Sequence, residues 1–310
     1  MNEWELISFL KGELSSKVEL SIGDDAAVIK EGDKYFIITK DLMVENTHFI
    51  LNDYPLALLG KKLVNSNISD IVAMGAYPKY ALLGITIREG LGDEALKIML
   101  TGVKEELENA GVSLIGGDTV KGRNLMLSMT VIGETKRYIT RKGAQPENLI
   151  FLSGKIGYSR AGLREFLSKG IIENSEAEKV FFEGKNRRDL LDFLSEVKIN
   201  AMIDISDGFY QDLNHILESS EVGAEIYLEN LPYDSYLEKL SKEEGVSYYD
   251  FVLNSGEEYE LIIIVPSYEE ERLIKKGLIE IGKIKGEREL TFIKDGKKVN
   301  VRNLSYTHKF

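Results

Sequence analysis

The chain has 310 residues, with 51 acidic and 39 basic side chains, a formal net charge of -12, three histidines and no cysteine. The acidic balance argues against a nucleic-acid binder, which needs clustered basic surface to displace phosphate counterions; the missing thiols exclude disulfides, thiolate metal sites and a cysteine nucleophile. No run of eighteen apolar residues occurs and the opening "MNEWELISFLKGELSS" is acidic and amphipathic, so neither membrane span nor signal peptide is expected, and a soluble, cytoplasmic, two-domain protein is.

In chain order, "DAAVIK" and "YFIIT", separated by the turn-like "EGDK", predict a hairpin. Pro55 opens a helix of several turns in "PLALLGKKLVNSNISDIVAMGAYP": Leu56, Leu59, Leu63, Ile68, Ile71 and Val72 recur at helical spacing until Gly75 and Pro78 stop it. "YALLGITI" reads as a strand, "GDEALKIMLTGVKEELENAG" as an amphipathic helix closed by Gly111, and "VSLI" and "LMLSMTVIGE" as further strands. The polar, turn-rich "TKRYITRKGAQPEN" marks the boundary between domains 1–137 and 138–310. Beyond it "LIFLSG" is a strand, "SRAGLREFLSKG" a helix, residues 171–200 charged and helical, and "NAMIDISDGFYQDLNHILESS" a strand, tight turn and helix. "AEIYLE", "ELIIIVP", "EEERLIKKGLIEIG" and "LTFIKDGKKVNV" continue the α/β alternation.

Several aspartates sit beside small or apolar residues at the edges of these elements: Asp24 and Asp25 in "GDDAAV", Asp41 in "IITKDLMV", Asp70 in "NISDIVAMGA", Asp118 in "LIGGDTVKG", and Asp204 and Asp207 in "MIDISDG". Carboxylates are costly to desolvate without a partner. Asp207 also reads as the N-cap of the helix beginning near Gly208, and Asp118 as a turn residue after two glycines. Asp70 is harder to read as ordinary, because it lies inside a predicted helix with Asn67 one turn earlier on the same face; Asp204 stands where a strand core should continue. Carboxylates at strand ends and on a helix face are what Mg²⁺ requires, and the cation lowers the cost of clustering like charges. The glycine turns "GGD" (116–118) and "SDG" (206–208) would let backbone approach a phosphate closely. Together these features point to Mg²⁺-nucleotide chemistry. The chain carries no G-x-x-x-x-G-K-[S/T], no H-E-x-x-H, no complete EF-hand loop and no G-x-G-x-x-G after a strand. His48, His215 and His308 are too widely spaced for a zinc site, and His215 reads as structural.

At these residues the sequence resembles the thiamine-monophosphate kinases, of the ATP-binding superfamily that includes aminoimidazole ribonucleotide synthetase and selenophosphate synthetase. The resemblance runs nearly end to end, through "GDDAAV", "KDLMVENTHF", "VNSNISDIVAMGAYPKYALLGI", "LIGGDTVKG", "ITRKGAQPEN", "IDISDGFYQDLNHI", "SGEEYEL" and "SYTHKF". It implies ATP-dependent phosphorylation of thiamine monophosphate to thiamine diphosphate with several Mg²⁺ ions, held by Asp25, Asp41, Asp70, Asp118, Asp204 and Asp207. It places Gly117, Asp118, Arg141 and Ser206 at the nucleotide, and His48, Glu257 and Tyr306 around the substrate, with Asp24 structural. It implies a homodimer of two-domain subunits, the N-terminal domains contributing strands to a dimeric β-barrel and the C-terminal domains packing helices on a sheet. Many relatives carry a small hydroxyl residue where this chain has Lys40, before Asp41. Either Thr39 substitutes as a metal ligand, or the Lys40 ammonium meets a phosphate, or it points to solvent.

The chemistry fits this inventory. The acceptor is a phosphate monoester, largely dianionic near neutral pH, so charge neutralisation and positioning are needed and a general base is not. Selenophosphate synthetases typically use a reactive cysteine or selenocysteine near the N-terminus, which is missing here; aminoimidazole ribonucleotide synthetase lacks the "SGEEYEL" block. A nucleotide-binding regulator that no longer catalyses has Lys40 as its sole sequence support.

Overall fold

A computed structural model of the chain describes Phe9 and residues 18–304. These divide into two compact units: residues 18–138 together with Phe182–Arg188, and Ile139–Phe181 together with residues 189–304. Among the described residues, no helix is long and apolar enough to cross a membrane.

The first unit holds β1 (Ala27–Glu31), β2 (Lys34–Val44), α1 (Leu56–Ala73), β3 (Tyr77–Arg88), α2 (Asp93–Ala110), β4 (Ser113–Gly122) and β5 (Met126–Thr135). Its strands form one open sheet in the order β1-β2-β5-β3-β4, antiparallel except for the parallel β3–β4 pair, which α2 connects. Leu59, Leu63, Ile68 and Ile71 of α1 are fully buried, as are Ile37, Leu127, Met129 and Val131 on alternate positions of β2 and β5. A strand turns alternate side chains to opposite faces, so Thr39 and Asp41 share the buried face with Ile37 while Lys40 and Leu42 take the other. The β1–β2 pairing ends at Ala27↔Ile38. Beyond it the Asp41 N–H turns to the Asn67 Oδ1 of α1, at 3.1 Å.

Phe182–Arg188 returns to this unit. The Tyr54 hydroxyl donates to the Phe182 carbonyl at 2.9 Å, the Asn65 amide to the Glu183 carbonyl at 3.0 Å, and the Asn186 amide to Asn65 Oδ1 at 2.6 Å.

The second unit contains β6 (Leu149–Leu152), α3 (Tyr158–Lys169), α4 (Ser175–Glu183, running into the returning segment), α5 (Leu191–Ser195), β7 (Ala201–Asp204), α6 (Phe209–Ser220), β8 (Gly223–Tyr227), α7 (Ser235–Glu244), α8 (Tyr248–Leu253), β9 (Leu261–Val265), α9 (Glu270–Lys276), β10 (Ile279–Lys285), β11 (Leu290–Lys294) and β12 (Lys297–Val299). The sheet order is β12-β11-β8-β10-β6-β9-β7, with β8–β11 the parallel pair. All five residues of β9, an unbroken apolar run, are buried, as expected of a strand covered on both faces. Phe209, Leu213 and Ile216 turn one side of α6 into the same core as Ile203, Ile262 and Ile264.

Both units are mixed α/β, each with one mixed sheet, and neither sheet closes into a barrel among the described residues. Two sequence expectations change. "GGD" is not a turn: β4 runs straight through it to Gly122. "YFIIT" is the start of a longer strand, β2, which carries Asp41 within it.

Candidate functional site

In the first unit three of the predicted residues, Asp25 just before β1, Asp41 on β2 and Asp70 on α1, lie near a fourth, Thr39. Its hydroxyl, buried on β2, donates to Asp70 Oδ2 on α1 and lies 3.5 Å from the Asp25 carbonyl oxygen. Asp41 is tied to the same helix through Asn67, whose amide in turn donates to the Leu63 carbonyl at 2.8 Å. Thus Asp25, Thr39, Asp41 and Asp70 are gathered by β2 and by the α1 face on which Asn67 and Asp70 stand one turn apart. Asp24 is a local brace, its Oδ1 accepting the Asp25 N–H at 3.1 Å. Lys40 faces the opposite side of the sheet, where its ammonium meets the Ser128 hydroxyl at 2.5 Å. It is directed away from Asp70, on an exposed part of the sheet.

His48 follows the end of β2, and its Nδ1 accepts the Val44 N–H at 3.1 Å. An accepting Nδ1 fixes the neutral tautomer with the proton on Nε2.

Gly117 and Asp118 lie on β4, the exposed edge strand. Three interstrand spacings separate β4 from β2, about 14 Å at about 4.8 Å each. Asp118 Oδ1 accepts the N–H of Thr119 at 2.9 Å. Within one chain Asp118 is therefore not joined to the Thr39 cluster. Gly117, at φ 152°, has a second reason to be glycine: a Cβ there would come within 1.8 Å of the Leu83 carbonyl oxygen.

In the second unit the turn between β7 and α6 carries Asp204, Ser206 and Asp207. Asp204 is buried at the strand end. Asp207 is not the N-cap; Gly208 holds that position and no side chain caps the helix there. The N–H groups of Ser206, Asp207 and Gly208 converge instead on Asp212 Oδ2, at 3.0, 3.1 and 3.1 Å. Burial pushes the Asp212 carboxyl well above the ordinary aspartate range, and the neighbouring Asp207 and Asp204 carboxylates add to this against the Arg141 guanidinium. His215, one turn further along α6, is held near 4 by burial and by Arg141, and so stays neutral. Arg141 thus stands within electrostatic reach of the turn, and its carbonyl accepts from the Ser220 hydroxyl at 3.3 Å.

The "SGEEYEL" segment runs beside this turn. Glu257 and Tyr259 adopt left-handed backbone, φ 54° and 53°, and their N–H groups donate to the Ser206 and Ile205 carbonyls at 2.7 and 2.9 Å. Gly256 cannot carry a side chain, since a Cβ would meet the Ser206 carbonyl oxygen at 2.7 Å. The glutamates divide by environment. Glu258 is buried and accepts from the Gly157 and Ser159 N–H groups at 2.8 and 2.9 Å and from the Ser255 hydroxyl, satisfying the start of α3. Glu260 is likewise buried and accepts from the Ser153 hydroxyl. Glu257 is half-buried, next to Ser206. Tyr306 lies outside the described residues.

Family models describing the N-terminal and C-terminal domains of AIR synthase related proteins match residues 23–135 and 145–295. The thiamine-monophosphate kinases of Aquifex aeolicus and Haemophilus influenzae are 33% and 35% identical to the chain, over 96% and 97% of it and 96% and 95% of their own lengths. The chain belongs to the thiamine-monophosphate kinase family. A solved structure, AaThiL complexed with AMPPCP and TMP, matches it with a TM-score of 0.88 at 30% identity, over 99% of this chain and 97% of that one.

For this member of the thiamine-monophosphate kinase family, the sequence reading missed Asp212. The signal was an aspartate in the first helical turn after a glycine N-cap, a position from which a carboxylate can fold back onto the preceding N–H groups.

Proposed function

We propose that the chain transfers the γ-phosphoryl group of ATP to thiamine monophosphate, forming thiamine diphosphate and ADP. The observation that carries this reading is the buried Thr39 hydroxyl between Asp70 Oδ2 and the Asp25 carbonyl, with the Asp41 backbone held to the same helix through Asn67, in a chain whose relatives over nearly its whole length are thiamine-monophosphate kinases. The donor set, carboxylate and hydroxyl oxygens with no sulfur, suits a hard divalent cation. Asp25, Thr39, Asp41 and Asp70 would hold Mg²⁺ in the first unit, Asp204 and Asp207 in the second, with Asp118 a further ligand. Bound Mg²⁺ supplies neutralisation of the facing phosphates and a template for in-line displacement.

The residues do the remainder. A phosphate oxygen of the acceptor attacks the γ-phosphorus, the bond to the β,γ-bridging oxygen breaks and ADP leaves; the dianionic acceptor gives up no proton, so no side chain serves as base. Gly117, Asp118, Arg141 and Ser206 attend the nucleotide, Arg141 supplying positive charge in an acidic protein. His48 presents its Nε2–H, Glu257 a carboxylate and Tyr306 an aromatic face to the substrate.

The active form is a homodimer. Ile29, Leu42, Tyr80 and Leu82 stand exposed on the sheet face away from α1, and Leu114, Ile115 and Val120 are exposed along edge strand β4. An apolar face and an unpaired edge of this kind call for a partner, and pairing with a second copy's sheet to form a barrel supplies one.

The test is ADP release with Mg²⁺, ATP and thiamine monophosphate, thiamine or an aminoimidazole-ribonucleotide precursor, the product weighed by mass spectrometry. Thiamine diphosphate formed from the monophosphate alone supports the reading. Turnover with the ribonucleotide precursor only, or a phosphorylated protein intermediate, refutes it.

A further inference from the structure

The turn that carries Asp204, Ser206 and Asp207 is held from both sides. Three successive N–H groups, of residues 206 to 208, donate to one oxygen of Asp212, which is 2% exposed, and the Ser206 carbonyl is held by the Glu257 N–H. Successive N–H groups at the mouth of a helix form a concavity suited to a phosphate. Here the chain fills that concavity with its own carboxylate. The expectation that "SDG" backbone would cradle a phosphate gives way to a different design.

We propose that Asp212 is a positioning residue: by occupying the N–H nest it fixes the turn so that Asp204 and Asp207 meet their metal in the right geometry, and it leaves nucleotide phosphates to be held here through metal and side chains rather than through backbone. This rests on the reading of Asp204 and Asp207 as Mg²⁺ ligands. A rival arrangement has Asp212 itself ligating a cation, because one ligand atom each from Asp207, Asp212 and His215 lies within 4.8 Å of the others. One observation weighs against it: Asp212 Oδ2 already accepts three N–H groups.

The two arrangements predict different behaviour for Asp212→Asn. Its amide oxygen can accept the same three N–H groups, whereas an amide is a poor substitute for a ligating carboxylate. The experiment is calorimetric titration of the metal-free, full-length protein with Mg²⁺, for wild type, Asp212→Asn, Asp212→Ala and Asp207→Asn, with titration by inorganic phosphate in the absence of metal. Asp212→Asn should keep Mg²⁺ affinity within about 3-fold. Asp212→Ala should lose about 10-fold or more, as Asp207→Asn does, each factor of ten being about 1.4 kcal/mol. Asp212→Ala should also gain metal-free binding of inorganic phosphate at the emptied nest, and added formate should compete with that phosphate and restore Mg²⁺ affinity. Should Asp212→Ala fail to fold, Asp212→Asn still decides: a loss matching that of Asp207→Asn overturns the positioning role in favour of direct ligation. Unchanged Mg²⁺ affinity in Asp212→Ala beside a weakened Asp207→Asn overturns the proposal alone, while unchanged affinity in Asp207→Asn sinks the ligand reading and the proposal with it.

Discussion

Replacing Thr39 by valine keeps the shape of a buried side chain, 6% exposed, and removes only its oxygen. That oxygen donates to Asp70 Oδ2 and lies 3.5 Å from the Asp25 carbonyl. A hydrogen bond to a charged group contributes about 1.5 to 3 kcal/mol, and each 1.4 kcal/mol is about tenfold in affinity. If Asp70 and Thr39 act together on Mg²⁺, Thr39→Val should raise the Mg²⁺ concentration for half-maximal ADP release by about 10- to 150-fold. Thr39→Ser keeps the oxygen and gives up one methyl group, about 0.8 kcal/mol of burial, so its Mg²⁺ requirement should shift by no more than about 4-fold. Calorimetric Mg²⁺ titration separates binding from turnover. Indistinguishable Mg²⁺ curves for the valine and serine variants would refute the reasoning, since the hydroxyl would then matter to neither ion nor carboxylate.

Lys40 bonds Ser128 on the sheet face opposite Thr39, so Lys40→Ser should change half-saturating Mg²⁺ by no more than about 2-fold, the scale of an exposed substitution; a tenfold shift in the same titration would place its ammonium at the phosphates. Glu258→Ala strands two N–H groups and a hydroxyl in a buried setting, and at about 1 to 3 kcal/mol for each unsatisfied group it should lower the thermal midpoint clearly. Glu257→Ala should leave that midpoint within a few degrees and raise KM for thiamine monophosphate, and equal midpoints for the two variants would contradict the division of roles. Burial pushes the Asp250 carboxyl up, but the Arg302 N–H and guanidinium and Ser247 outweigh it and hold the group below its ordinary 3.8. A depressed folded-state value contributes stability above the unfolded value that disappears as pH falls through the folded one. Arg302→Ala should therefore be less stable than wild type at pH 7 in urea unfolding, the gap narrowing below about pH 3.8; a gap independent of pH would exclude this linkage.

Asp70 was legible because its helix repeats apolar residues at 3.6 spacing from Leu56 to Val72, which makes a carboxylate inside it stand out. The sidedness of Lys40 was also within reach, since a period of two sets Thr39 and Asp41 on one face and Lys40 on the other once the strand extends past Thr39. The extent of β4 was not. Its glycines offer no strand propensity, and its pairing is parallel to β3 across an intervening helix, a non-local arrangement that local pattern cannot register. Helices α7 and α8 were passed over because they are short: α7 spans Ser235–Glu244 with Leu237 and Leu240 as its buried anchors, and α8 only Tyr248–Leu253. Asp212 escaped for a different reason: a polar residue in the first turn of an amphipathic helix looks like solvent-facing surface, and the three N–H groups that claim it belong to a turn whose shape only folding defines.

The return of Phe182–Arg188 to the first unit has a consequence for synthesis. At about 5 to 20 residues per second, the roughly 50 residues between Tyr138 and Arg188 take a ribosome about 3 to 10 seconds. During that interval the nascent first unit has its five strands but no carbonyls from Phe182 and Glu183 to meet Tyr54 and Asn65. Its native state becomes available only after β6, α3 and α4 have been translated, so a fragment stopped at Tyr138 is an unfinished unit rather than a separable one.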